Sequence, residues 1–118
     1  MTPTPSDMGK ASRDKGKRFE REIASVFRER FGHSYRGAPL QASGGCIMPD
    51  VVTPLPIHIE CSHGKAVSAH GKLEQAIRDA RAGMVPIAIT RRDRGETIAS
   101  LRLEDLLDIL EEWQCGSS

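Results

Sequence analysis

Aromatic side chains are scarce in this 118-residue chain: one Trp, one Tyr and three Phe, 4% in all. Ile, Leu, Val, Ala and those few Phe must therefore fill the core, and a small aliphatic core in a short chain favours oligomerisation. Basic patches interleaved with aromatics are absent, which disfavours nucleic-acid binding by base stacking. Long apolar runs are lacking too. Neither a bilayer span nor a signal-peptide core is present, so a cytoplasmic protein without membrane contact is expected. The three cysteines, Cys46, Cys61 and Cys115, are odd in number and form no CxxC pair, as in a reduced compartment. The four histidines, His33, His58, His63 and His70, have no compact ligand spacing with them, which argues against zinc. Excess charge is missing as well: 17 Lys and Arg oppose 16 Asp and Glu, for a net +1, which excludes a uniformly basic nucleic-acid sleeve.

Charge is present in blocks. Basic residues gather in "GKASRDKGKR", "SHGKAVSAHGK" and "TRRDRGE", whereas acids dominate "LEDLLDILEEW". The basic blocks either converge on one phosphate-contacting face or are three solvated segments. Residues 1–11, rich in Pro, Thr, Ser and Gly, read as a mobile arm ahead of a single domain over 12–118. Phe19, Ile23, Phe27 and Phe31 step by four and predict a helix from Ser12, its N-cap, to Phe31, with Gly32 as the stop. Short strands are expected near 34–36, 50–53 and 57–62, with "TPLP" as the turn between the last two. "AHGKLEQAIRDARAG" predicts a second helix with Leu73, Ile77 and Ala80 inward and Gly83 as its stop. "VPIAIT" and "ETIASLRL" follow as strands around a charged turn at Asp93, Arg94 and Gly95, and "LEDLLDILEEW" closes as a helix. This order is that of an α/β core with a mixed sheet.

Candidate chemistry lies in "MPDVVTPLPIHIECSHGK". Residues two apart on a strand share a face, so Ile57 and Ile59 would face the core while His58, Glu60 and Ser62 point away. The hairpin brings Asp50 back towards Glu60. Two carboxylates and a main-chain carbonyl make a hard-oxygen site suited to Mg²⁺, with Mn²⁺ as a substitute. Acids near strand ends are also commonplace, and spacing alone leaves that reading open. Arg91, Arg92 and Arg94 at the charged turn, and Arg36 before the "GAPLQASGG" loop, are candidate phosphate contacts, because guanidinium groups fork onto phosphate oxygens.

"KGKRFEREIASVFRERFG", "QASGG", "MPDVV" and "IHIECS", in this order, resemble the PD-(D/E)XK nuclease superfamily, most nearly the archaeal Holliday junction resolvases and related phage-encoded nucleases. The resemblance covers about residues 15–62. It implies a restriction-endonuclease-like core, Mg²⁺-dependent hydrolysis of DNA, a branched or four-way junction as substrate, and a homodimer that makes two symmetric cuts. Position by position, it implies Asp50 and Glu60 as metal ligands, with the Cys61 carbonyl beside them. Glu20 is the first-helix glutamate, with Glu22 as its rival. Ser43 matches the loop serine near the active site, and Gln75 a glutamine carried by some members on the following helix. If phage-encoded, the protein would act in the host cytoplasm.

The departure from that pattern is Ser62, which stands where the superfamily has a lysine that activates water and balances charge on the phosphate. Lys65, across a His-Gly turn, or Lys72, on the next helix, would replace it. Otherwise the site is silent, naturally or by an introduced substitution, and the chain is a nucleic-acid-binding module of the same fold.

Overall fold

The computed structural model describes residues 5–37 and 48–116, in the order α1 (Pro5–Phe31), β1 (Tyr35–Arg36), β2 (Val51–Val52), β3 (Ile57–Gly64), α2 (Ala69–Asp79), β4 (Val85–Arg92), β5 (Thr97–Ser100), α3 (Leu103–Gly116). The strands form one mixed sheet in sequence order, with β3 and β4 parallel and every other pair antiparallel. This is the restriction-endonuclease-like α/β core expected. α1 packs on β1, β2 and β3, and α2 covers β3 and β4.

α1 is amphipathic in its second half only. Phe19, Ile23 and Ala24 are buried there and join Val51, Ile59, Cys61 and Ile89 in the core, with Phe27, Ile57 and Ile87 packed against them. Each large side chain buried in this way contributes roughly 1.5–3 kcal/mol. The fourth member of the stripe, Phe31, is exposed and meets the Phe27 ring. Gly32 ends the helix at φ 74°, its N–H donating to the Arg28 carbonyl, the left-handed stop that glycine provides. The helix begins seven residues before Ser12, so Ser12 is an interior residue and residues 5–11 are helical. Proline is well placed near a helix start, since no partner is required for its nitrogen.

α2 starts at Ser68, whose hydroxyl accepts the Gly71 N–H at 2.9 Å, a cap worth about 1 kcal/mol. It ends at Asp79, earlier than the sequence suggests, because Ala80 has an extended backbone. Gly83, at φ 88°, shapes the turn beyond. Its fully buried residue is Ala76, whereas Ile77 is exposed. The small residue lets the helix lie close to the sheet, turning the expected Ile77 face partly outward.

α3 contributes no buried residue. Leu103, Leu106, Leu107, Ile109 and Leu110 remain exposed on it, Leu103 at 69%. Glu104, Asp105, Asp108, Glu111 and Glu112 occupy the opposite side at 3.6 residues per turn. Among the described residues, no helix is long and apolar enough to cross a membrane.

Candidate active site

β3 has a different neighbour on each face. Ile57, Ile59 and Cys61 point to α1, while His58 and Glu60 point to α2. His58 and Glu60 are each 2% exposed. An ionised carboxylate this deep needs partners, since unpaired burial costs several kcal/mol. Glu60 has three: Oε1 lies 2.9 Å from His58 Nε2, Oε2 accepts from Gln75 Nε2 at 3.4 Å, and the Asp50 carboxyl shares a hydrogen bond with it. The Gln75 amide oxygen in turn accepts from Lys72 Nζ at 3.1 Å. Lys72 and Gln75, three apart on α2, share a face and present this relay to the strand.

Asp50 reaches the same place from the start of β2. Its N–H donates to the Ile59 carbonyl at 2.8 Å, and its Oδ2 accepts the Cys61 N–H at 2.8 Å. A residue in a strand projects its N–H and C=O from the same edge, so the Cys61 carbonyl also faces Asp50. Close approach on the other side requires Gly37. Its N–H donates to the Asp50 carbonyl at 2.8 Å, and a Cβ there would lie 1.9 Å from the Pro49 oxygen. Burial pushes the Asp50 carboxyl up to about 7, helped by the charge of Glu60, a hydrogen bond with it, and the charge of Glu20, and opposed by the Cys61 N–H.

Glu20 therefore belongs to this cluster, held by Arg36 Nε at 3.1 Å. Its rival Glu22 is turned away and paired with Arg91, whose Nε donates to Thr97 Oγ1 at 2.7 Å and whose guanidinium lies 5.0 Å from the Phe19 ring centre. That pairing holds the Glu22 carboxyl below the usual range. Arg91 and Arg92 stand on β4, across β3 from Asp50, and Arg91 is engaged within the fold. Ser62 is half-buried opposite Thr90 of β4. Lys65 is exposed just beyond the end of β3, and its charge lowers the Asp93 carboxyl. The Lys72 charge acts on Cys61, whose thiol is pushed up by burial and stays protonated in the α1 core. Ser43 and Cys46 lie outside the described residues.

The structure thus brings together Asp50, Glu60, Glu20, Arg36, Lys72, Gln75 and the Cys61 main chain, and leaves Lys65, Arg91 and Arg92 apart. His58 was not expected at the site. The signal for it was its position two residues before Glu60 on the same strand face. Among the described residues, no group of three or more His, Cys, Asp or Glu side chains is arranged as a complete metal centre. The donors still fit a hard divalent cation. Such an ion needs one or two carboxylates and keeps several waters, and each carboxylate has lone pairs beyond those engaged here.

No curated protein and no solved structure matches the chain. A family model described as phage putative PDDEXK endonuclease matches residues 11–115, from α1 through α3. Enzymes of this superfamily in general depend on divalent metal ions. On the match and the fold together, the chain belongs to this family of phage PD-(D/E)XK endonucleases.

Proposed function

We propose that the chain is a divalent-cation-dependent DNA endonuclease with Lys72, on α2, in the role of the lysine absent at position 62. The observation that carries this reading is the convergence of Asp50 and Glu60, two desolvated carboxylates on adjacent strands, with a lysine–glutamine relay ending on Glu60. Asp50, Glu60 and the Cys61 carbonyl would hold the ion, Mg²⁺ or Mn²⁺, with Glu20 behind them. When bound, such an ion polarises the phosphodiester and lowers the pKa of water. His58 and Gln75 fix the Glu60 carboxylate in one orientation. Lys72 supplies the positive charge facing the acids, and on approach of a phosphate its flexible stem lets the ammonium leave Gln75 for a phosphate oxygen. Arg36 at the border of the site contacts the neighbouring phosphate, and Ser43 is proposed, on the resemblance alone, as a further contact to DNA.

On the resemblance, the preferred substrate is branched DNA such as a four-way junction, cut by a homodimer in the host cytoplasm. The leucine face of α3 supports the dimer, because its acids lie on the far side and two copies would meet without like charges in contact.

Ser62 favours a second reading, a silent nucleic-acid-binding module. Cleavage of junction, duplex and single-stranded DNA with Mg²⁺ or Mn²⁺ separates the two. Activity in the native chain that is lost in Lys72→Met and kept in Lys65→Ala supports the proposal. Activity seen only in Ser62→Lys means the site is silent. Activity lost in Lys65→Ala transfers the lysine's role to Lys65.

A further inference from the structure

Among the described side chains of α1, none before Phe19 is buried. Two glycines, Gly9 and Gly16, weaken this first half further, each by about 1 kcal/mol relative to alanine. What this half does carry is charge. Lys10, Arg13, Lys17, Arg18 and Arg21 are all exposed. At about 100° per residue, Lys10, Lys17 and Arg21 fall within about 40° of one another, with Arg13 and Arg18 flanking them. The row lies opposite the Phe19–Ile23 face and contains one acid, Asp14. A shallow groove lined by Ala11, Asp14, Lys17, Arg18 and Arg21 runs along it.

None of these five cations has an ion-pair or hydrogen-bond partner among the described residues, whereas Lys15, on the flank nearer the sheet, is bound to Asp93. The row also leads to the site. Glu20, three residues after Lys17, lies on the flank of the row, and its partner Arg36 adds a sixth cation there.

We propose that this face of α1 is a phosphodiester track that carries the DNA backbone into the Asp50–Glu60 cluster. The proposal rests on the nuclease reading of that cluster and identifies the surface that holds its substrate. Lys10 to Arg21 span roughly 16 Å at a rise of about 1.5 Å per residue. That length matches four to five phosphates of one strand at about 3.4 Å of duplex axis each. The face has no large apolar residue, so its ligand is recognised by charge. Phosphates satisfy this better than the acidic α3 of a second copy, whose leucines would find nothing to cover them here.

The test is binding of a fluorescent duplex in EDTA, where cleavage does not interfere, followed by anisotropy from about 50 to 200 mM KCl. Lys10→Gln/Lys17→Gln/Arg21→Gln is compared with the charge-matched Arg30→Gln/Arg78→Gln/Arg81→Gln, and circular dichroism verifies that both fold. The track predicts weaker binding, by about 30-fold or more at the lowest salt, and a salt slope shallower by about 2.7 in the first triple only. Equal effects in both triples, no effect in the first, or no binding by the native chain overturn it. So does loss of self-association by sedimentation in place of DNA binding, which would assign the row to a second copy. Stripe-dependent binding in a chain that never cleaves with metal removes the nuclease reading and leaves the track. Cleaving activity with unchanged binding in the first triple does the reverse.

Discussion

On the α1 side of β3, Ile57, Ile59 and Cys61 meet Phe19, Ile23 and Ala24, and burial alone holds them. On the α2 side, His58 and Glu60 meet Gln75, itself bonded to Lys72, and every member requires a partner. Among the described residues, no buried side-chain nitrogen or oxygen lacks one. One strand thus serves two purposes through its alternation. Its apolar positions stabilise the fold, while its polar positions keep a carboxylate dehydrated at a cost in stability that the α1 side offsets. The comparison predicts that activity and stability respond to different residues only a strand's width apart.

The largest effect is expected at Asp50. Asp50→Asn keeps the shape and removes the charge, so cleavage should fall by about 10³-fold or more while the fold is retained. Residual activity within tenfold of the native chain would remove Asp50 from the chemistry. The converse substitution, Phe19→Ala, should cost about 3–5 kcal/mol in urea unfolding, because it empties a site 2% exposed at the centre of the α1 face. Glu60→Gln should cost less than half of that and abolish cleavage. Equal destabilisation by the two would break the division between the faces.

The apolar face was the legible one. The Phe19–Ile23–Phe27 spacing announced both the helix and its buried side, and Gly32 its end, because period and glycine conformation are local properties. The acid pair was legible too, through the hairpin spacing and the resemblance. Other features depended on packing that a single sequence does not display. His58 reads as an ordinary strand residue until α2 closes over it. The choice between Lys72 and Lys65 depends on which way the chain turns after Gly64. The inward residue of α2 is Ala76, not the larger Ile77, since closeness of approach outweighs hydrophobic size there. Residues 5–11 have no apolar period at all, which is why their helicity was missed.

Lys72 tests whether the polar face is a relay or merely a filled space. Lys72→Met preserves the stem and removes the ammonium, so kcat should fall by about 10- to 100-fold with KM nearly unchanged, a range ordinary for a group acting mainly in the transition state. Adding Ser62→Lys should restore part of the loss, since it puts a cation on β3 two residues from Glu60. Lys65→Ala should change kcat by less than about twofold. A KM effect alone in Lys72→Met would make Lys72 a substrate-binding residue.

The smallest effect concerns stability and pH. Asp50 titrates near 3.8 when unfolded and at about 7 in the fold. Between these values the folded state binds more protons than the unfolded one, so unfolding free energy must fall as pH rises. The favourable contribution is complete below pH 4 and is lost as pH passes through 7. Asp50→Asn has no such proton. Without metal, the native chain should therefore lose stability relative to Asp50→Asn from pH 5 to pH 8, by on the order of 2–3 kcal/mol, with the difference levelling off above pH 8. A divalent cation reverses the sign. It binds the ionised pair, so the melting temperature should rise on adding Mg²⁺ or Mn²⁺ at pH 8, hardly at all at pH 5, and at neither pH in Asp50→Asn. Melting curves at the two pH values, with and without metal, decide it. A metal response equal at both would mean that the ion binds elsewhere and that the α2 face does not hold the site.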